Sequence, residues 1–407
     1  MTIPVLFISG GPTTGALWEP LSKKYRLAFA DPGAARVATE SGIENVMSLA
    51  QFADADVQEN ASNEATRLAA NVVNNMPEIR ARFCDMPGVG TVKELSAELD
   101  RWWAGYIHHH LREEVTRLAA LENLTKTHSP VGTVVHEDVT PSARSIVGFF
   151  RARGLPTVHV PHAPCHLLDD AGPDIHRETR AEFIAASGPY MADWYRRQDF
   201  RGLMEITGAP QWDDLYTMYL PDKAEARQAL AIVNERVIAY GTTWSQTTAL
   251  RGGFEDEENA ALQAALKLAQ EWKAVLLITM HPNENPANQE VYAQALRDAG
   301  LPGLVTRQHF HLILRAADLY VKLSPSNGCL VSAIMGTPSV YMRTAGFDYA
   351  HELPFRCEID GLPEMAKLAV ESNGDPRWQD FIGYYNAAHP DGGAAERITE
   401  FVGRVVC

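Results

Sequence analysis

Cysteine is scarce: five in 407 residues, Cys84, Cys165, Cys329, Cys357 and Cys407, far apart and with no C-x-x-C spacing. An odd, scattered set fits neither a disulfide framework nor a zinc site, so reduced structural thiols are expected. Basic charge is also short. Lys and Arg number 36 against 51 Asp and Glu, a net charge of −15, and such a field disfavours nucleic acid as a partner. No run approaches the ~20 uncharged apolar residues of a membrane span, and MTIPVLFISGG lacks the basic flank and cleavage site of a signal peptide. A cytoplasmic protein without a membrane span is the expectation. Two phosphate-binding signatures are missing as well. There is no G-x-x-x-x-G-K-[ST], which disfavours a P-loop phosphotransferase, and the glycine-rich SGGPTTG is not G-x-G-x-x-G.

What is present is alternation. Short apolar runs of strand length (Val5 to Ile8, VGTVVH, RVIAYG, AVLLITM, DLYVKL, PSVYM) are separated by segments with helical spacing. Strands separated by helices of that length cannot be hairpins, so parallel βαβ units follow. The chain has 46% apolar residues, enough for two cores, and the expected domains are residues 1–220 and 221–407, with Pro221 and Asp222 in the linker. Residues 58–127 read as a long helical insertion in the first domain. The predicted fold class is α/β, two Rossmann-like doubly wound domains facing each other across a cleft.

In open parallel sheets ligands bind beyond the carboxyl ends of the strands, so those loops are the ones to search. After RVIAYG stand Thr242 and Thr243, after AVLLITM stand His281, Pro282, Asn283 and Glu284, and after DLYVKL stand Ser324, Pro325, Ser326, Asn327 and Gly328. Ser326 is a plausible N-cap, and the free N–H groups of the helix it opens suit a phosphate or diphosphate. The same serine can equally cap a core helix. His281 at a strand end can donate to a phosphate oxygen or protonate a leaving group. Glu284 can accept from a ribose diol, or stand as a helix-start carboxylate with no ligand.

In the first half, Glu137 and Asp138 follow VGTVVH, and one of them is the candidate general base. Asp138 with Thr140 and Pro141 also reads as helix-start chemistry. Gly10 and Gly11 after the first strand, and His162 and His166 in VPHAPCHLLDD, are candidates for the acceptor side. His162, Cys165 and His166 crowd one loop without a second ligand set, and the HHH at 108–110 points three ways around a helix, so no metal is expected. Asp31 after RLAFAD would have to serve as a ribose acid if SGGPTTG bound a dinucleotide.

Assembled in order, TVHVPHAP, ITGAPQWDDL, LLITMHPNE and ADLYVKLSPSNGCLVSAIMGTPSVYM resemble the GT-B glycosyltransferases. The nearest branch is the His-Pro-motif one, with CDP-glycerol glycerophosphotransferases, capsule Kdo transferases and bacterial sialyltransferases. The resemblance implies that His281 contacts the nucleotide phosphate, that Ser324 and Ser326 hold its oxygens, and that Glu137 or Asp138 matches the acidic base. It implies no cofactor and no metal, only a nucleotide-sugar donor and a glycan or other hydroxyl acceptor. Paired serines of the family are here Ser324, Pro325, Ser326, Asn327, and no glycine follows Asp138.

The expected function is therefore inverting, metal-independent glycosyl transfer from a nucleotide-activated donor. Two alternatives stay open. One is a DNA-modifying glycosyltransferase acting on hydroxymethylated bases, for which RWWAGYIHHHLR (101–112) offers stacking and phosphate contacts; against it, Trp102, Trp103 and Tyr106 can pack inward on an amphipathic helix. The other is a nucleotide-sugar 2-epimerase using His162, Asp169 and Asp213, although that family has arginine where this chain has Pro282. A binding module without catalysis shares the same fold argument.

Overall fold

The computed structural model describes residues 3–11, 15–74, 97–137, 140–161, 180–233, 236–243, 255–282, 284–323, 326–343, 354–386 and 391–406, with side chains at 73–74, 97–104 and 255 left aside. Asp138, His162, His166, Asp169, Trp244, Ser245, Asn283, Ser324 and Pro325, and the side chains of Trp102 and Trp103, lie outside the described residues.

The strands fall into two sheets. The first contains β1 (Val5–Ser9), β2 (Arg26–Phe29), β3 (Met47–Ser48), β4 (Gly132–Val135), β5 (Thr157–His159), β6 (Phe183–Ala186) and β7 (Leu203–Ile206). Their order is β3-β2-β1-β4-β5-β6-β7, and the pairings from β3 to β6 are parallel. The second contains β8 (Val237–Gly241), β9 (Val275–Thr279), β10 (Gly303–Thr306), β11 (Leu319–Leu323), β12 (Ser339–Met342) and β13 (Arg356–Cys357). It runs β10-β9-β8-β11-β12-β13, parallel throughout. Every residue of VLFIS, VIAYG, VLLIT and LYVKL is buried. That is the signature of parallel strands covered on both faces, and it explains runs that are apolar rather than alternating.

Both orders are 3-2-1-4-5-6 at their centre, the doubly wound topology, whose switch points lie between β1 and β4 and between β8 and β11. The last strand of the first sheet ends at Ile206 and the first of the second begins at Val237, with Pro221 between them. The chain divides into two compact units: Met1–Val160, Thr179–Ile184 and Thr399–Cys407 form one, and Pro161–Glu178 with Ala185–Ile398 the other.

Among the described residues the helical insertion contains helices Ala55–Asn74 and Ala97–His128. Ala61, Ala65 and Ala69 recur every four residues and are all buried, which places small side chains on one face so that a neighbouring helix can approach closely. Leu121 and Leu124 of the longer helix join the core built on Phe7, Val135, Ile146 and Phe150. Tyr106 corrects one expectation: it is 48% exposed and its ring lies 4.2 Å from that of His110, so it does not pack inward.

Caps account for several polar residues. Asp31 accepts from Gly33 N at 2.8 Å and starts helix Pro32–Glu40, which spends the carboxylate proposed for a ribose. Thr140 caps Pro141–Arg151. Asp213 accepts from Ala394 N at 3.1 Å and Ala395 N at 2.7 Å, so it holds the start of helix Ala394–Val406 rather than a substrate. Among the described residues no helix is long and apolar enough to cross a membrane.

Candidate functional site

At the switch point of the first sheet, His136 bridges the two strand ends. Its backbone N–H donates to Ser9 O at 3.1 Å, and Nδ1 lies 2.9 Å from the same oxygen. A carbonyl can only accept, so Nδ1 carries the proton. Glu137 follows at once, half-buried, and among the described residues its carboxylate forms no hydrogen bond or ion pair. A Cβ built on Gly11 would meet nothing within 4 Å, so this glycine leaves the backbone open to approach rather than relieving a clash; Gly10 beside it is buried.

The switch point of the second sheet is more elaborate. Thr242, just past β8, is 3% exposed and Glu284 2%. The Thr242 hydroxyl donates to Glu284 and accepts from His281 N at 2.9 Å. Glu284 also accepts from Tyr292 OH at 2.5 Å and Asn288 Nδ2 at 3.1 Å. Its carboxylate is therefore engaged within the protein, not presented to a ribose. From β11, Lys322 Nζ donates to Thr242 O at 2.6 Å, and the Thr243 hydroxyl donates to Leu323 O at 3.2 Å. The carboxyl ends of β8, β9 and β11 are thus tied into one knot. Ser326 caps helix Asn327–Ile334, accepting from Gly328 N at 3.1 Å, while the buried Asn327 Oδ1 has no partner among the described residues.

Lys322 went unread in the sequence, though it is the one charged residue in the four fully buried five-residue strands. Burial pulls its pKa down to about 8, against the opposing pull of Cys329, Glu258 and Glu284. Tyr292, Tyr320 and Arg307 were also missed. The Tyr320 hydroxyl fills the space where a Cβ on Gly241 or Gly328 would sit, 2.6 Å from the latter, so both glycines make room for it. Gly241→Ala is expected to cost about 1–3 kcal/mol by overpacking. Adding Tyr320→Phe should recover more than half of that, which urea denaturation of both single variants and the double measures as coupling; strict additivity would place the strain elsewhere.

Burial also pulls the His281 imidazole down to about 4, aided by Lys322 and Arg307 and opposed by Glu284. At neutral pH it is uncharged, able to take part in hydrogen bonds but not a ready proton source. On unfolding it returns to about 6.5 and takes up a proton that the folded chain refuses between roughly pH 6.5 and 4. The stability it contributes is complete above pH 6.5 and is lost as pH falls toward 4. Because the ring is only partly buried, about 1–2 kcal/mol is expected. His281→Asn should flatten the acid limb of stability in that window by this amount, read by urea titrations at each pH; a limb parallel to that of the unsubstituted protein would contradict it.

Among the described residues no three His, Cys, Asp or Glu side chains are grouped to hold a metal ion. Of the histidines at 108–110, His108 turns to Thr66 at 3.1 Å, while His109 and His110 both reach Glu113, at 3.3 Å and 3.7 Å.

No protein-family model matches the sequence, and no curated protein matches it either. Solved structures do match. The Methanocaldococcus jannaschii UDP-GlcNAc 2-epimerase in complex with UDP-GlcNAc and UDP is 10% identical, with a TM-score of 0.59 over 98% of this chain and 99% of that one. The S. aureus MnaA–UDP co-structure is 13% identical, with a TM-score of 0.58 over 98% and 96%. The wall teichoic acid polymerase TagF is 13% identical, with a TM-score of 0.51 over 99% and 88%. At these identities what is shared is the fold: two Rossmann-like α/β sheets, the GT-B architecture.

Proposed function

We propose that this chain is an enzyme acting on a nucleotide sugar, with the diphosphate seated at the carboxyl ends of β8, β9 and β11. The observation that carries this is the knot of Thr242, Glu284 and Lys322 at the topological switch point. It spends a buried carboxylate and a buried ammonium on fixing strand-end loops, an investment that pre-organises a site and that a merely structural sheet does not need. The neutral His281 and the start of helix Asn327–Ile334 supply donors to phosphate oxygens.

Two reactions begin with this binding mode, and both break the bond between the anomeric carbon and the diphosphate oxygen. In 2-epimerisation a base removes the C2 proton as the diphosphate leaves, and the reverse addition delivers a proton to the other face. In transfer, the base deprotonates an acceptor hydroxyl, which takes the place of the diphosphate. Resemblance to solved UDP-GlcNAc 2-epimerases favours epimerisation. Transfer is favoured by the unengaged Glu137 beside the first switch point, and by a hollow of about 450 Å³ in the first unit lined by Ala30, Leu49, Arg112 and Thr116, which offers an acceptor a place. Asp213, enlisted for epimerisation on the sequence, accepts instead from two backbone amides at the start of helix Ala394–Val406.

Incubation of the protein with UDP-, GDP- and CDP-sugars in D2O, without and with hydroxyl acceptors, separates the two. Deuterium at C2 without acceptor marks epimerisation; acceptor-dependent release of nucleoside diphosphate marks transfer. Absence of binding and turnover with every donor would overturn the proposal.

A further inference from the structure

Arg307 lies outside the knot. It follows Thr306, the last residue of β10, and Thr306 O accepts from Met280 N at 2.9 Å. Continuing the register sets Arg307 alongside Met280, the residue before His281, on the loop that leads into helix Phe310–Ala316, and its charge acts on the His281 ring. Two of its nitrogens, Nε and Nη2, are buried with no hydrogen-bond partner among the described residues. A cationic donor left unsatisfied in the interior costs more than a neutral one, and native structures keep few such groups without a reason. The loop carries a second irregularity: His309, a non-glycine residue, holds φ +61 in the left-handed region, a conformation retained when surrounding structure fixes a loop for use.

Position suggests what the guanidinium is for. In a doubly wound sheet the diphosphate lies at the switch point and the ribose over the end of the next strand. Here those are β8 with β11, and β9. A nucleoside laid outward along this path carries its base to the end of β10, two strand spacings or roughly 10 Å from β8. Building on the nucleotide-sugar reading, we propose that Arg307 selects the base of the nucleotide. Nε–H and Nη2–H project in parallel as a two-pronged donor. This fork matches two adjacent acceptors: O2 and N3 of cytosine, or O6 and N7 of guanine. Uracil interrupts its carbonyls with N3–H, and adenine places an amino group beside N7, so each meets the fork with one acceptor and one donor. The chain therefore takes cytidine or guanosine nucleotides in preference to uridine or adenosine ones.

Titration calorimetry of the full chain with CDP, GDP, UDP, ADP and inorganic pyrophosphate tests this, on the unsubstituted protein and on Arg307→Lys, which keeps the charge and loses the fork. CDP or GDP is expected to bind about tenfold or more tightly than UDP and ADP. Arg307→Lys should bring all four within about threefold of one another while pyrophosphate affinity stays unchanged, which also reports an intact fold. UDP or ADP binding as well as CDP and GDP to the unsubstituted protein would overturn the assignment. So would an Arg307→Lys loss that falls equally on pyrophosphate, since the guanidinium would then serve phosphate. Failure of every nucleotide to bind would instead overturn the nucleotide-sugar reading on which this rests.

Discussion

Glu284→Ala is expected to lower the unfolding free energy by about 3–5 kcal/mol, the range for removing one partner of a buried, hydrogen-bonded charge. The carboxylate is 2% exposed and receives donors from Thr242, Asn288 and Tyr292. Deleting it strands the Tyr292 and Thr242 hydroxyls in the interior and takes a nearby negative charge from the buried Lys322. In melting temperature the loss corresponds to roughly 10 °C for a unit of this size. Glu284→Gln should cost far less, about 1–2 kcal/mol, because its amide can donate to the Thr242 oxygen while its carbonyl accepts from Tyr292. Chemical denaturation of both variants provides the comparison. An alanine variant within 1 kcal/mol of the unsubstituted protein would mean that the knot does not support the loops.

That residue also marks where sequence reasoning stopped. Parallel strands buried on both faces announce themselves locally, because each is a compact apolar run bounded by polar loops. The strand-end loops that contain Thr242, His281 and Ser326 followed directly. The fate of a carboxylate does not follow in the same way. Glu284 is fixed by Thr242, 42 residues earlier, and Tyr292, 8 residues later; Asp213 by backbone donors 181 and 182 residues away. No local pattern distinguishes either from a carboxylate that meets a ligand. Caps sit between these extremes. Asp31 and Ser326 are satisfied by amides two residues on, a spacing visible in the sequence, yet the same spacing also suits anion binding. The closing helices Leu362–Glu371, Pro376–Tyr385 and Ala394–Val406 follow no long apolar strand that would mark them as part of a βα unit, although Phe381 and Phe401 among their buried residues mark amphipathic faces.

Glu137→Gln is expected to lower turnover by a factor of about 10² to 10⁴, the usual contribution of a positioned general base, while the affinity for nucleotide stays within about twofold. The expectation follows from a contrast between two acids in corresponding places. Both stand at carboxyl ends of strands beside a topological switch point, but Glu284 has its oxygens engaged by protein donors whereas Glu137, half-buried, engages none among the described residues. A carboxylate that neither folds the chain nor pairs with a cation is available for chemistry. Its replacement by an amide should accordingly leave stability within about 0.5 kcal/mol, the reverse of the outcome at Glu284. Removal of a proton by a base is required in epimerisation and in transfer alike, so the test holds under either reaction. Turnover of Glu137→Gln within tenfold of the unsubstituted protein would move the base to another residue, with Asp138→Asn as the next variant to measure. A large loss of stability together with activity would make Glu137 a structural residue after all.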